Sequence, residues 1–136
     1  MAKTILQKVV FKNTTVETLY NLYMDAKQHS AVIGAPVKIQ NKEGAAFTAY
    51  DDYISGKNLQ LIPGKLIVQS WWASDWNEKE IISTFILLFE QNGTDAIVNM
   101  THANVPDEQY KSIKEGWDQY YWNPWKEYIK KLKAKK

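Results

Sequence analysis

Residues 116–126 read GWDQYYWNPWK, a stretch that gathers three of the six tryptophans and two of the eight tyrosines into eleven residues. Wound on an α-helix, Tyr110, Ile113, Trp117, Tyr121, Pro124, Tyr128 and Leu132 fall three or four apart on one stripe, and Trp122, Trp125 and Ile129 widen it on one side. Gln119, Lys126, Glu127, Lys130 and Lys131 take the opposite side. Such a helix lies on an apolar surface with its back in water, so the rest of the chain is expected to supply that surface. Pro124 has no amide hydrogen and is expected to kink the helix, freeing the carbonyl of Tyr120.

Upstream, Lys3 to Lys12 alternates as a strand, with Ile5, Gln7, Val9 and Phe11 on one face and Leu6 and Val10 on the other, so partial burial of both faces is expected. Asn13 ends it. Thr14 and Glu17 stand at capping-box spacing, and Val16, Leu19, Tyr20 and Tyr23 then form one face of a short helix ending near Met24 or Asp25. Asp25 and Gln28 open a second short helix through Ile33, which Gly34 and Pro36 stop. From Val37 the period becomes two, and turn signals at Asn41 to Gly44, Asp51 and Asp52, Pro63 and Gly64, Asn77 to Lys79, and Asn92 and Gly93 delimit six strands.

Ile62, Pro63, Gly64 and Lys65 spell a type I or II turn, and Asn92 with Gly93 favours a tight primed hairpin turn. Between Ile54 and Leu59 the apolar parity changes, which a bulge at Ser55 and Gly56 would absorb. In the hairpin Ile81 to Glu90 and Thr94 to Ala103, Phe85, Leu87 and Phe89 face inward opposite Ala96, Val98 and Met100, with His102 continuing that face. The outward set carries Ser and Thr alongside Ile86 and Leu88. Val105, Pro106, Asp107 and Glu108 read as the opening of the last helix, with proline in its first turn and acids at its positive end. Strand, two helices, an antiparallel meander and a long closing helix make an α+β architecture, expected as one domain over residues 1–136.

Composition narrows the function. The chain has no cysteine, which excludes disulfides and thiolate chemistry, and the start lacks a signal-peptide core, so a cytoplasmic location is expected. Its longest wholly apolar run, Phe85 to Phe89, is far too short for membrane insertion. Net charge is +2 and all 17 basic residues are lysines, so the fork-like readout of guanine or phosphate by arginine is absent and no nucleic-acid partner is expected. The terminal lysines 126, 130, 131, 133, 135 and 136 read as a solvated end that complements the helix dipole.

The helix opening TTVETLYNLYMDA, the run ISGKNLQLIPGKLIVQSW from Ile54 to Trp71, the strand STFILLFEQNGT and the segment VPDEQYKSIKEGWDQYYWNPWKEYI from Val105 to Ile129 together resemble the activator of Hsp90 ATPase homologue family, within the START-like, helix-grip superfamily. The resemblance covers nearly the whole chain. It implies a curved antiparallel sheet gripping the C-terminal helix, with a cavity between them that in the wider superfamily often takes an apolar small molecule. It also implies a link to an Hsp90-type chaperone, because the eukaryotic activators use a domain like this as their C-terminal half. Those activators have a separate N-terminal domain that supplies much of the stimulation, for which these 136 residues are expected to leave no room. Binding of a chaperone, rather than full activation, is the expectation.

Candidate sites can be weighed residue by residue. A void between sheet and helix would be lined from Phe47, Ile54, Leu59, Ile67, Trp71, Phe85, Leu87, Met100, Trp117, Tyr121 and Pro124, unless those rings close-pack as a core. His102 would stand near its mouth, free for a ligand or for acid–base work, unless it is satisfied at a strand end; His29 reads as a surface or capping residue. Trp76, following Trp72 in a loop, would be an exposed ring, either a gate over the cavity or an anchor for a partner, unless it folds back onto Trp122 or Trp125. Asp51 and Asp52 are only an adjacent acidic pair, so no metal and no cofactor are expected. Ser55 lacks a nucleophile elbow, the glycines form no phosphate loop, and an enzyme is not expected.

Overall fold

The computed structural model describes residues 2–50, 53–74, 76 and 82–134. The chain runs β1 (Ala2–Phe11), α1 (Val16–Met24), α2 (Ala26–Ile33), β2 (Val37–Lys38), β3 (Ala46–Ala49), β4 (Ile54–Ile62), β5 (Leu66–Ala73), β6 (Ser83–Asn92) and β7 (Asp95–Pro106). A 3-10 turn, Asp107–Gln109, leads into α3 (Tyr110–Trp117), a π-helical turn (Asp118–Trp122) and α4 (Asn123–Ala134). The strands form one sheet in the order β1-β7-β6-β5-β4-β3-β2, with every neighbouring pair antiparallel. The turn expected at Asn77 to Lys79, the pair Asp51 and Asp52, the side chain of Leu132 and the last lysines lie outside the described residues.

Local signals explain most boundaries. The cap of α1 is Thr15, one residue later than the expected Thr14, with its hydroxyl accepting the Thr18 amide at 3.2 Å. The next orphan amide, that of Val16, donates to the Gln91 side chain of β6 at 2.9 Å, which pins the helix to the sheet. Asp25 caps α2, its carboxylate accepting the amides of Lys27 and Gln28 at 3.0 and 3.1 Å. The β4–β5 turn is type II: the Lys65 amide donates to the Ile62 carbonyl at 2.9 Å and Gly64 has φ +74°, a conformation only glycine adopts freely.

Three expectations need correction. β1 is buried on one side only, since Leu6 is 71% exposed and Val10 lies at the surface of the outer face. β7 continues through Pro106, with Val105 fully buried, so helix begins only after the 3-10 turn. The β4 bulge falls at Leu59 and not at Ser55–Gly56: Asn58 pairs with Gln69 and Gln60 with Val68, leaving Leu59 extra and 53% exposed. The misplacement has a physical cause. Asn58 is an inward residue, its amide donating to the carbonyls of Gln40 and Lys42 at 2.7 and 3.0 Å and accepting from Gln69, whose own side chain accepts from Tyr23. A buried polar network replaced the apolar residue that pattern reading demands there.

Gly56 has a different role. It sits opposite Phe47, and a Cβ there would run into the backbone carbonyl of Ser70 and the Phe47 ring. Gly56→Ala is therefore expected to cost more than about 3 kcal/mol in denaturant unfolding, because the nearest obstructing atoms are backbone.

The closing helix lies in the concave face. Trp117 stacks on Phe85 of β6 with ring centroids 4.4 Å apart and planes 5° from parallel. Phe11 of β1 meets Trp122 and Trp125 at 6.3 and 5.8 Å, and Tyr23 of α1 meets Tyr121 and Trp125 at 6.1 and 6.3 Å. The face actually buried is Trp117, Tyr121, Trp122, Trp125 and Ile129, whereas Tyr110, Ile113, Pro124 and Tyr128 are only half-buried. The π turn accounts for the shift beyond it, from Pro124 and Tyr128 to Trp125 and Ile129. With Asn123 donating to the Asp118 carbonyl five residues back, one extra residue enters the turn before Pro124, the proline ring is accommodated, and Trp117 and Trp122 come to lie nearly parallel at 5.7 Å.

Candidate functional site

An open cleft of about 380 Å³ lies where the N-terminal half of the closing helix rises from the sheet. One wall is built by Tyr50, Tyr53 and Ile54 at the β3–β4 connection, the base by Trp71 of β5, and the other wall by two helical rows, Ser112, Gly116, Tyr120 and Ile113, Trp117, Tyr121. Of the side chains expected around a void, Ile54, Trp71, Trp117 and Tyr121 line this cleft. Phe47, Ile67, Phe85, Leu87 and Met100 are instead packed into the core, each no more than 2% exposed. Leu59 is turned to solvent by its bulge, and Pro124, one turn beyond, is half-buried away from the cleft.

Tyr50, Tyr53, Ser112, Ile113, Gly116 and Tyr120 are the members that sequence reading left out. Their helical part was legible, because residues 112, 116 and 120 run one position behind the stripe of 113, 117 and 121. Tyr50 was not, since it follows β3 with φ +54°, a left-handed conformation that an aromatic residue rarely takes and that no pattern announces.

Both histidines are sealed. His102 is fully buried and its ring is saturated: the Trp117 indole donates to Nδ1 at 3.2 Å, which leaves the proton on Nε2 to face the Ser83 hydroxyl at 2.8 Å, and Ser83 donates onward to the Trp71 carbonyl at 2.5 Å. Desolvation lowers its pKa to about 3. His102 is thus a structural tie between β6, β7 and the helix, not a group at a mouth, and Ser83 belongs to the inward set, contrary to the expected outward placement of serine.

His29, expected at the surface, is 1% exposed. Its Nδ1 donates to the Tyr23 carbonyl at 2.8 Å, so Nε2 accepts from the Tyr121 hydroxyl at 2.9 Å. Burial lowers its pKa to about 4, against a smaller upward pull from the bond to Tyr23. Its spacing hid this role, because the partner lies 92 residues away on the far helix.

Trp76 is neither exposed nor folded onto Trp122 or Trp125. It is 4% exposed, with its ring 5.4 Å from both Trp71 and Trp72. Its ring backs Trp71 at the cleft base rather than presenting an anchor. Among the described residues no cluster of three or more His, Cys, Asp or Glu converges as metal ligands. The described lining of the cleft carries no charged side chain. Its chemistry is that of aromatic faces, two aliphatic side chains and a few hydroxyls.

A seven-stranded antiparallel sheet closed over a C-terminal helix, with the cleft at their junction, defines a helix-grip domain of the START-like class. The chain belongs to the family described as Activator of Hsp90 ATPase homolog 1-like protein, whose model matches residues 13–133. It is 26% identical over 108 residues to the human protein described as Activator of 90 kDa heat shock protein ATPase homolog 1, covering 79% of this chain and 32% of that one. The Dictyostelium discoideum activator homolog is 27% identical over 116 residues, covering 85% and 30% of the two chains. The chain therefore spans about a third of the length of the curated relatives it matches. In fold it is similar to a Plasmodium falciparum protein described as an HSP90 activator, with a TM-score of 0.81 and 23% identity over 87% of this chain and 89% of that one. Among the described residues no helix is long and apolar enough to cross a membrane.

Proposed function

We propose that the chain is a non-enzymatic binding module that engages an Hsp90-type chaperone. The observation that carries this is the family match over residues 13–133, with the human and Dictyostelium relatives described as activators of the 90 kDa heat shock protein ATPase. Two features support recognition without bond chemistry: both histidines are neutral and fully committed to internal hydrogen bonds, and the described lining of the cleft carries no charged side chain. The lack of cysteine suits a reducing compartment, and the cytoplasm is the proposed site of action. In an NMR titration against the Hsp90 of the same cell, a contiguous set of amide shifts is the expected result. No shifts at stoichiometric excess would contradict the proposal.

A second role is favoured by the cleft itself. Its volume of about 380 Å³ falls within the roughly 300–1,000 Å³ of pockets that hold small molecules, and it is walled largely by aromatic rings. Binding of a small apolar molecule there is expected to appear as a co-purifying mass in native mass spectrometry.

A further inference from the structure

Within that second role, on which this inference rests, the cleft defines the chemistry of its ligand. Tyr50 carries two unrelieved costs at one position. Its backbone is left-handed, and its hydroxyl is shut away from water with no hydrogen-bond partner among the described residues. Burial, with a smaller contribution from neighbouring Tyr120, pushes its pKa up to about 12, so it is an intact O–H donor at neutral pH. The nearby Tyr121 hydroxyl cannot play that part, because its proton is already given to His29. Tyr120, 48% exposed, stands edge-on to Tyr50 with ring centroids 5.9 Å apart and lines the same cleft.

Gly116 is a second, independent observation. It occupies the interior of α3, where glycine is the least favourable residue after proline, yet a Cβ there would meet nothing closer than Tyr120 at an ordinary 3.7 Å. The fold does not require glycine at this position; the cleft wall uses the space it leaves.

We infer that the cleft takes an uncharged, planar aromatic molecule bearing one hydrogen-bond acceptor, a carbonyl or ether oxygen, which accepts from the Tyr50 hydroxyl while the rings of Tyr53 and Tyr120 and the edges of Trp71 and Trp117 line the space around it. Ionic ligands such as fatty acids or phosphate esters are disfavoured, since the described lining holds no cation to offset the desolvation of an anion.

Three naphthalenes of similar size test this in an NMR titration read at the indole signals of Trp71 and Trp117: 2-acetylnaphthalene, 2-ethylnaphthalene and 2-naphthoate. The ketone is expected to bind about 10-fold more tightly than the hydrocarbon, with the anion weakest. Tyr50→Phe should erase the difference between ketone and hydrocarbon, and Gly116→Ala should weaken both while leaving thermal stability unchanged or raised. Equal binding of ketone and hydrocarbon to the unmodified chain, or the anion binding best, would overturn the ligand assignment and leave the cleft as a binding site. No binding by any of the three would overturn the cleft role itself.

Discussion

Trp117→Ala should lower the unfolding free energy by about 4 to 6 kcal/mol, leaving a protein close to the folding threshold. Two losses combine. The indole is 3% exposed and touches rings on every side, stacking on Phe85 and Trp122 and packing against Trp71 and Tyr121, so its removal empties the grip between sheet and helix. It also strips the donor from His102 Nδ1, and a buried acceptor left unpaired costs a further 1–3 kcal/mol or so. Trp117→Phe separates the two only in part, because it keeps a ring on Phe85 while losing the N–H and the volume of the second ring; about 2–4 kcal/mol is expected. Urea titrations with unchanged slope would measure both. A loss under about 1 kcal/mol for the alanine variant would show that the ring is not buried.

Acid should unfold the protein unusually early, and histidines should carry a large part of the effect. In the unfolded chain both protonate near the ordinary value of 6.5; in the fold His29 resists until about 4 and His102 until about 3. Below 6.5 the unfolded state therefore binds more protons than the native state, so stability rises with pH and falls as pH drops. Each histidine contributes a slope of about 1.4 kcal/mol per pH unit, and together they remove about 3 kcal/mol per unit from just below pH 6 down to about 4. The geometry supplies the reason. A proton on His102 Nδ1 would face the Trp117 indole donor, and a proton on His29 Nε2 would leave the Tyr121 hydroxyl without its acceptor. Against a typical total of about 5–15 kcal/mol, these losses alone bring a protein at the low end of that range to its acid midpoint between roughly pH 4 and 5. Replacing either histidine with glutamine should flatten the slope above pH 5, whatever it costs in absolute stability. Stability independent of pH between about 7 and 5 would contradict the burial of both rings.

How far the chain could be read in advance depended on whether a signal was local. Asp25 before α2, Pro63–Gly64 in the β4–β5 turn, and the pairing of Phe85 with His102, Leu87 with Met100 and Phe89 with Val98 all follow from residue types and period. They fix the order of elements, the antiparallel meander and the concave face. The closing helix was legible as an aromatic stripe, but its π turn was not, because adding one residue before Pro124 is a tertiary solution to a proline that could equally have kinked the helix. Leu59 and Asn58 exchanged roles for a similar reason: nothing near Asn58 announces the Tyr23 and Gln69 side chains that satisfy its amide. His29 and Tyr50 failed alike, their meaning residing in Tyr121 and Tyr120, some seventy or more positions away. Half of the cleft, the helical half, could be read from spacing; the half set by the β3–β4 connection depended on a backbone conformation without a sequence signature.

The sheet holds the closing helix through its aromatic face, with Trp117 bonded to His102 at the centre. Nitrogen-15 NMR of the His102 ring with through-space contacts from the Trp117 indole proton tests it most directly. The expected result is a neutral ring protonated at Nε2, unchanged down to about pH 5, with contacts from that indole proton to His102 and Phe85. A His102 that titrates near 6.5, or an indole proton in exchange with solvent and without those contacts, would contradict it.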